Sequence, residues 1–335
     1  MEDFIKPNVT HCVQENEVHY NPYVPPPFFA KLTLNNSEVV ELEGSGELTK
    51  AMVRDQYYNT LVSAEIGELC TSIGNNAFRG CESLTNITIP DSVTSIGSGA
   101  FYYCSGLTSI DIANSVTSIG DDAFQYCSSL TSVTIGSGVT NIGKDAFQGC
   151  SGLASIVVDS ANTVYDSRDN CNAMIKTSTN ELVTGCKNTV IPNTVTSIGN
   201  WAFQGCLDLT SIDIPSSVTS IGQHAFYYCT GLTSITIPDS VTSIDESAFY
   251  YCTGLTSITI GSGVTNIGEE AFQACSALTS ITCNATTAPT IQSRTFRNIK
   301  TGGTLTVPTG STGYNVWMGT GNYYLGKYSW TKVEQ

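Results

Sequence analysis

Residues 91–113 read DSVTSIGSGAFYYCSGLTSIDIA, and residues 216–238 read SSVTSIGQHAFYYCTGLTSITIP. Both follow one template, x-x-V-T-S-I-G-x-x-A-F-x-x-C-x-x-L-T-S-I-T-I-P. It recurs in register, with four copies in residues 71–159 and four in residues 193–284. A sustained period of this length marks a solenoid. Each copy is one structural turn that cannot bury its own apolar side chains and is stable only against its neighbours.

The order of residues inside a copy predicts the course of each turn. Leu107, Ile110 and Ile112, with their counterparts Leu232, Ile235 and Ile237, follow L-x-x-I-x-I, whose last part alternates with the period of a strand. A short parallel strand per turn is therefore expected. Pro or Gly after it breaks the strand and leads into a second extended piece, residues 93–96 in one copy. The next piece, G-x-x-A-F-x-x-C, predicts a capped single helical or 3-10 turn. Phe78, Phe101, Phe124, Phe147, Phe203, Phe226, Phe249 and Phe272 share one slot and should stack as a buried spine.

Thirteen cysteines would suit a disulfide scaffold in a small secreted chain, but their spacing points elsewhere. Cys81, Cys104, Cys127, Cys150, Cys206, Cys229, Cys252 and Cys275 step by 23 residues, except for a gap of 56 after Cys150. That gap is one 23-residue step plus an insertion of 33. A cysteine that recurs once per turn acts as a small buried hydrophobe.

The pattern over residues 71–284 resembles the BspA-like, or Treponema pallidum-type, leucine-rich repeats. The resemblance implies a bacterial or protozoan surface protein associated with adhesion to host matrix, other cells or other bacteria.

Outside the template the chain divides into further pieces. Residues 160–192 interrupt the array, and residues 173–176 with 181–184 predict an inserted β-hairpin that projects as a flap. Asp166, Asp169 and Asn170 offer oxygens there, but the stretch lacks the Gly and distal Glu of a calcium loop. Residues 285–335 lose the template and, with Trp317 and Trp330, read as a C-terminal cap. Residues 31–70 read as an N-terminal cap with strands at 31–34 and 39–42 and a helix over 48–58. Residues 1–30, carrying NPYVPPPFF at 21–29, read as an extended arm. Its Tyr20, Tyr23, Phe28 and Phe29 are candidate anchors for a partner protein or a second copy of the chain.

Charge narrows the function. Fourteen Lys and Arg against 29 Asp and Glu give a formal charge of −15, which argues against nucleic acid as a partner. Apolar runs are too short for membrane insertion. Residues 1–10 have neither a basic n-region nor an apolar h-region, so no signal peptide is expected in the sequence given.

No catalytic constellation is legible. The three histidines, His11, His19 and His224, are scattered, and the phased cysteines form no metal-binding pairs, so neither cofactor nor metal is expected. Asp111 and Asp213 share a strand slot but lie too many turns apart for a carboxylate pair.

Recognition is better supported. The two positions after Ala-Phe vary between copies, and Tyr102, Tyr103, Tyr126, Tyr227, Tyr228, Tyr250 and Tyr251 fill many of them. Exposed there, they would be a candidate ligand-binding stripe; alternatively, one Tyr of each pair covers the spine. The rival face is the strand slot of Thr88, Asp111, Thr134, Val157, Asp213, Thr236, Thr259 and Thr282. The expected function is non-enzymatic adhesion or recognition of a host-cell or bacterial surface protein or glycan. The alternative is a structural or host-binding component of a bacteriophage virion, anchored by the arm.

Overall fold

In the computed structural model, which describes residues 27–335, the copies stack in register as turns of a solenoid with almost no helix. Two sides of each turn are strands. On one side the V-T-S-I segments Ser95–Ile96, Ser118–Ile119 and Asn141–Ile142 pair in parallel, serine opposite serine or asparagine, behind Gly46–Leu48 and Cys70–Ile73. On the other, Ser132–Ile135 lies between Ser109–Ile112 and Ser155–Val158 in the same register. The period-two pattern turns the isoleucines inward and leaves the Thr or Asp between them outward. The repeated threonines beside these strands lock the stack. The Thr117 hydroxyl donates to the Thr94 carbonyl at 3.1 Å, and that of Thr131 donates to the Thr108 carbonyl at 3.0 Å.

The third side is the A-F-x-x-C corner, and it is not helical. The Phe78 amide donates across to the Ala100 carbonyl at 2.7 Å, whereas the Ala77 amide returns to Gly74 at 3.2 Å. A helix would send every amide back along its own chain. Here alternate amides bond to the next turn, so the corners form a ladder of their own. This course needs two left-handed residues per corner, such as Asp122 (φ 55°) and Tyr126 (φ 61°).

Inside, the Phe spine forms as expected. Phe78 and Phe101 stack with centroids 5.0 Å apart and planes 5° apart, and Phe101 and Phe124 do the same. The eight phased cysteines are buried and unpaired by disulfides.

The insertion does not project. Met174–Lys176 and Glu181–Thr184 do pair antiparallel, but Glu181–Thr184 then runs parallel to Ser197–Ile198 and is part of the solenoid wall. Alternation along the hairpin sends Met174 into the core of the preceding turns and Ala173, Ile175 and Leu182 into the core of the following ones. The hairpin is thus a partition between two cores. Where a Phe would continue the spine it has Gly185, whose amide donates to the Ala202 carbonyl at 2.8 Å as a spine Phe does. A Cβ at Gly185 would lie 2.1 Å from the Phe203 ring. Asp166, one of the oxygens considered for calcium, instead pairs with Arg168, which also reaches Asn180 and Thr194. Among the described residues no three metal-ligating side chains converge.

The ends depart from expectation in two places. At the first, Ala30–Leu34 sits antiparallel between Val39–Leu42 and Leu61–Ile66, and the helix shrinks to Arg54–Tyr57. Phe29 is 2% exposed inside this cap, and the carbonyls of Phe28 and Phe29 accept from Leu69 and Gly67. Phe29 is therefore core and not a free anchor, because its ring closes the open end of the stack; Tyr20 and Tyr23 lie outside the described residues. At the second end the repeat outlasts its template. Phe296 stacks on Phe272 at 5.9 Å in a ninth corner, and only then do Tyr314 and Trp317 cover the spine. Thr304–Val307 and Thr331–Glu334 extend the second sheet over this cap. No helix among the described residues is long and apolar enough to cross a membrane.

Candidate functional site

The corner ladder sets the two residues after Ala-Phe in different environments. The first, held at an ordinary φ, leans over the spine, so Tyr102, Tyr227 and Tyr250 are half-buried. The second is left-handed and points outward: Tyr103, Tyr228 and Tyr251 have φ of 59°, 60° and 61° and are 44%, 37% and 38% exposed. Tyr126, at the same slot, is half-buried by its neighbours. One tyrosine of each pair therefore covers the spine and the other faces solvent.

The rings associate along the solenoid. Tyr227 stacks on Tyr250 at 5.0 Å and Tyr228 on Tyr251 at 4.6 Å, while Tyr103 leans on Tyr126 at 4.7 Å. Burial first, then the adjoining phenols, pushes the hydroxyls of Tyr126 and Tyr227 above their ordinary range.

Between the two clusters the slot holds Gly149 and Gly205, and the face sinks into a trough of about 500 Å³. Tyr126 with Tyr103 forms one wall, Tyr228 with Tyr227 the other, and Ser128, Ser151 and Gln204 line it with polar groups. Leu207, 44% exposed, adds an apolar edge. The Tyr126 ring leans over Gly149, where a Cβ would meet it at 2.5 Å. Sequence reasoning found the tyrosines but missed this trough. Its signal was present in the two glycines on either side of the insertion.

The strand face is flatter. Thr236, Thr259 and Thr282 stand opposite one another in register, as do Asp111, Thr134 and Val157, while the counterpart carrying Asp213 forms no strand. Asp111 and Asp213 do not meet in the sheet. His224 stacks on Trp201 at 3.7 Å, and burial lowers its basicity.

Comparison with known proteins places this geometry. The sequence profile of the BspA type leucine rich repeat region matches residues 55–176 and 174–302, in six copies. The chain belongs to this family. BspA-type repeats thus account for the corners, both strand sides and the ninth turn, since the match runs past residue 284. Solved structures share the fold at low identity. The pneumococcal vaccine antigen PcpA is 18% identical, with a TM-score of 0.62, over 80% of this chain and 71% of that one. A leucine-rich repeat protein from Eubacterium ventriosum is 22% identical, with a TM-score of 0.54, over 91% and 82%. A leucine rich cell surface protein from Faecalibacterium prausnitzii is 28% identical over 74% and 84%, with a TM-score of 0.43. No curated protein matches the sequence.

Proposed function

We propose that this BspA-type protein is a non-enzymatic surface adhesin that recognises a protein or glycan ligand through its tyrosine face, centred on the trough between Tyr126 and Tyr228. The observation that carries the reading is backbone conformation. A non-glycine residue held left-handed costs about 1–2 kcal/mol, and the same slot holds Gly80, Gly149 and Gly205 in other turns. Tyr103, Tyr126, Tyr228 and Tyr251 occupy it nonetheless, with most of them exposed. Stacking of one ring on the next returns only about 0.5–1.5 kcal/mol per pair. A residue kept at a site that favours glycine, on the outside of the molecule, is better explained by contact with a partner than by folding. Tyrosine suits that role because it offers a large amphipathic surface with little side-chain entropy to lose. Display of the same face on a virion is the alternative setting, with Tyr20, Tyr23 and the half-buried Phe28 as its remaining anchors.

The test is a variant carrying Tyr126→Gly and Tyr228→Gly, screened against immobilised matrix proteins and a printed glycan array. Because other turns use glycine in this slot, the variant should fold. Binding should weaken by more than roughly tenfold, or 1.4 kcal/mol, relative to the parent chain. Unaltered binding by the folded variant would move recognition to the threonine face.

A further inference from the structure

Beside the tyrosine trough, and sharing Gln204 with it, the insertion opens a notch of about 450 Å³ between the fourth and fifth corners. It exists because the hairpin takes up one layer of the stack with Val183, Thr184 and Gly185 but builds no corner there. The corner ladder is consequently interrupted. One turn earlier the amides of Asp122, Phe124 and Tyr126 donate to the carbonyls of Lys144, Ala146 and Gln148. Their counterparts, the amides of Asp145, Phe147 and Gly149, find no acceptor among the described residues. On the facing lip the carbonyls of Asn200 and Gln204 likewise receive no donor, and the side-chain Oε1 of Gln204 is buried without a partner.

One wall of the notch is aromatic. Trp201 is stacked on His224 of the following turn at 3.7 Å, which leaves its other face turned toward the notch. Opposite it stand Lys144 and Asp145, paired at 3.7 Å, so the formal charges on that lip cancel. The occupant that matches this surface is uncharged, has one flat apolar face for the indole, and carries several groups that both donate and accept hydrogen bonds. An ionised ligand would meet no net charge among the residues that line the notch. The volume falls within the ~300–1,000 Å³ of ordinary small-molecule sites.

We propose that the notch binds a neutral sugar ring, its C–H face on Trp201 and its hydroxyls on the unpaired amides of Asp145 and Phe147, the two free carbonyls and Gln204. Apart from Gln204, the notch shares no lining residue with the tyrosine trough. Trp201 itself occupies a left-handed slot, φ 60°, filled by Gly99 and Asp122 in other turns, so folding does not require the indole there.

The experiment is calorimetric titration of the full chain with the methyl glycosides of glucose, galactose, mannose and N-acetylglucosamine, and separately with glucuronate. At least one neutral glycoside should bind with a dissociation constant on the order of 1 mM or tighter. Trp201→Gly and Gln204→Ala should each weaken it by roughly tenfold or more, while Tyr228→Gly leaves it unchanged. Absence of binding by all four glycosides would overturn the proposal. So would binding that survives Trp201→Gly, or a preference for glucuronate. Loss in Tyr228→Gly alone would transfer the sugar to the tyrosine trough and also overturn it.

Discussion

The thiol of Cys127 donates to the carbonyl of Phe101 at 3.2 Å, one turn back and three residues earlier in the corner. The same bond joins Cys104 to Phe78, Cys150 to Phe124 and Cys252 to Phe226. Each thiol is thus a second donor to a Phe carbonyl that already accepts the amide three residues on in its own corner, while the sulfur fills the space beside the Phe spine.

This arrangement makes the thiols inert. Burial pushes Cys104 and Cys127 well above their ordinary 9.0 and Cys81 and Cys275 to about 12. A disulfide-exchange reagent added to the native chain should leave the twelve described cysteines unmodified until denaturant is added. Rapid native labelling of most of them would contradict the packing. Cys127→Ala should cost about 1–2 kcal/mol, for one small void and one weak hydrogen bond.

Alkaline pH should destabilise the fold for the same reason. The unfolded chain ionises its thiols near 9, whereas the folded chain keeps Cys81 and Cys275 protonated up to about 12. A raised folded value means the contribution is complete below pH 9 and is lost as pH climbs toward 12, by about 1.4 kcal/mol per unit per thiol. Denaturant midpoints measured from pH 7 to 11 should stay level and then fall. The fall should be shallower in Cys275→Ala.

Gly185→Ala should be strongly destabilising although only one methyl is added. Its Cβ would lie 2.1 and 2.5 Å from two atoms of the Phe203 ring, in a packed core. Overpacking of this kind costs about 1–3 kcal/mol, measurable by urea unfolding. A neutral result would mean that the Phe203 side of the partition is loose.

Phe29→Ala should cost about 3–5 kcal/mol, the usual effect of deleting a buried aromatic ring. A chain beginning at residue 30 should be similarly weakened, since it loses both the ring and the Phe29 carbonyl that receives the Gly67 amide. If either change left the melting temperature unaltered, Phe29 would be available as an anchor after all.

Calcium should not stabilise the insertion. The Asp166 carboxylate is engaged by the Arg168 guanidinium through two oxygens. Melting with millimolar calcium and with chelator should therefore superimpose, and a rise with calcium would require the Arg168 pair to open.

The strands, the spine and the cysteine column were legible in the sequence because each is a single slot repeated at 23 residues, and stacking makes one slot one column. The corner was misread because Ala, Phe and Cys at three- and four-residue intervals imitate a helical face, and bonds to the next turn leave no mark in a local window. Asn76, Gly99, Asp122 and Asp145 in one column did carry the correction, since these residues tolerate left-handed backbone. Phe29 was misjudged from its prolines: they describe the chain before it, whereas its burial depends on Gly67 and Leu69 some forty residues on. The trough and the notch could not be read from any single copy. Both arise from what the fourth and fifth corners lack when the insertion sets them side by side.

The partition has a consequence for how the molecule comes apart. In a linear array, cooperativity is carried only by contacts between neighbouring turns, so the weakest interface sets the size of the unfolding unit. Here the sheets are interrupted, the Phe stack is bridged by a glycine and three ladder amides lack partners, all at one level. The turns before the hairpin and the turns after it therefore act as two melting units joined by a fuse, and damage on one side need not spread to the other.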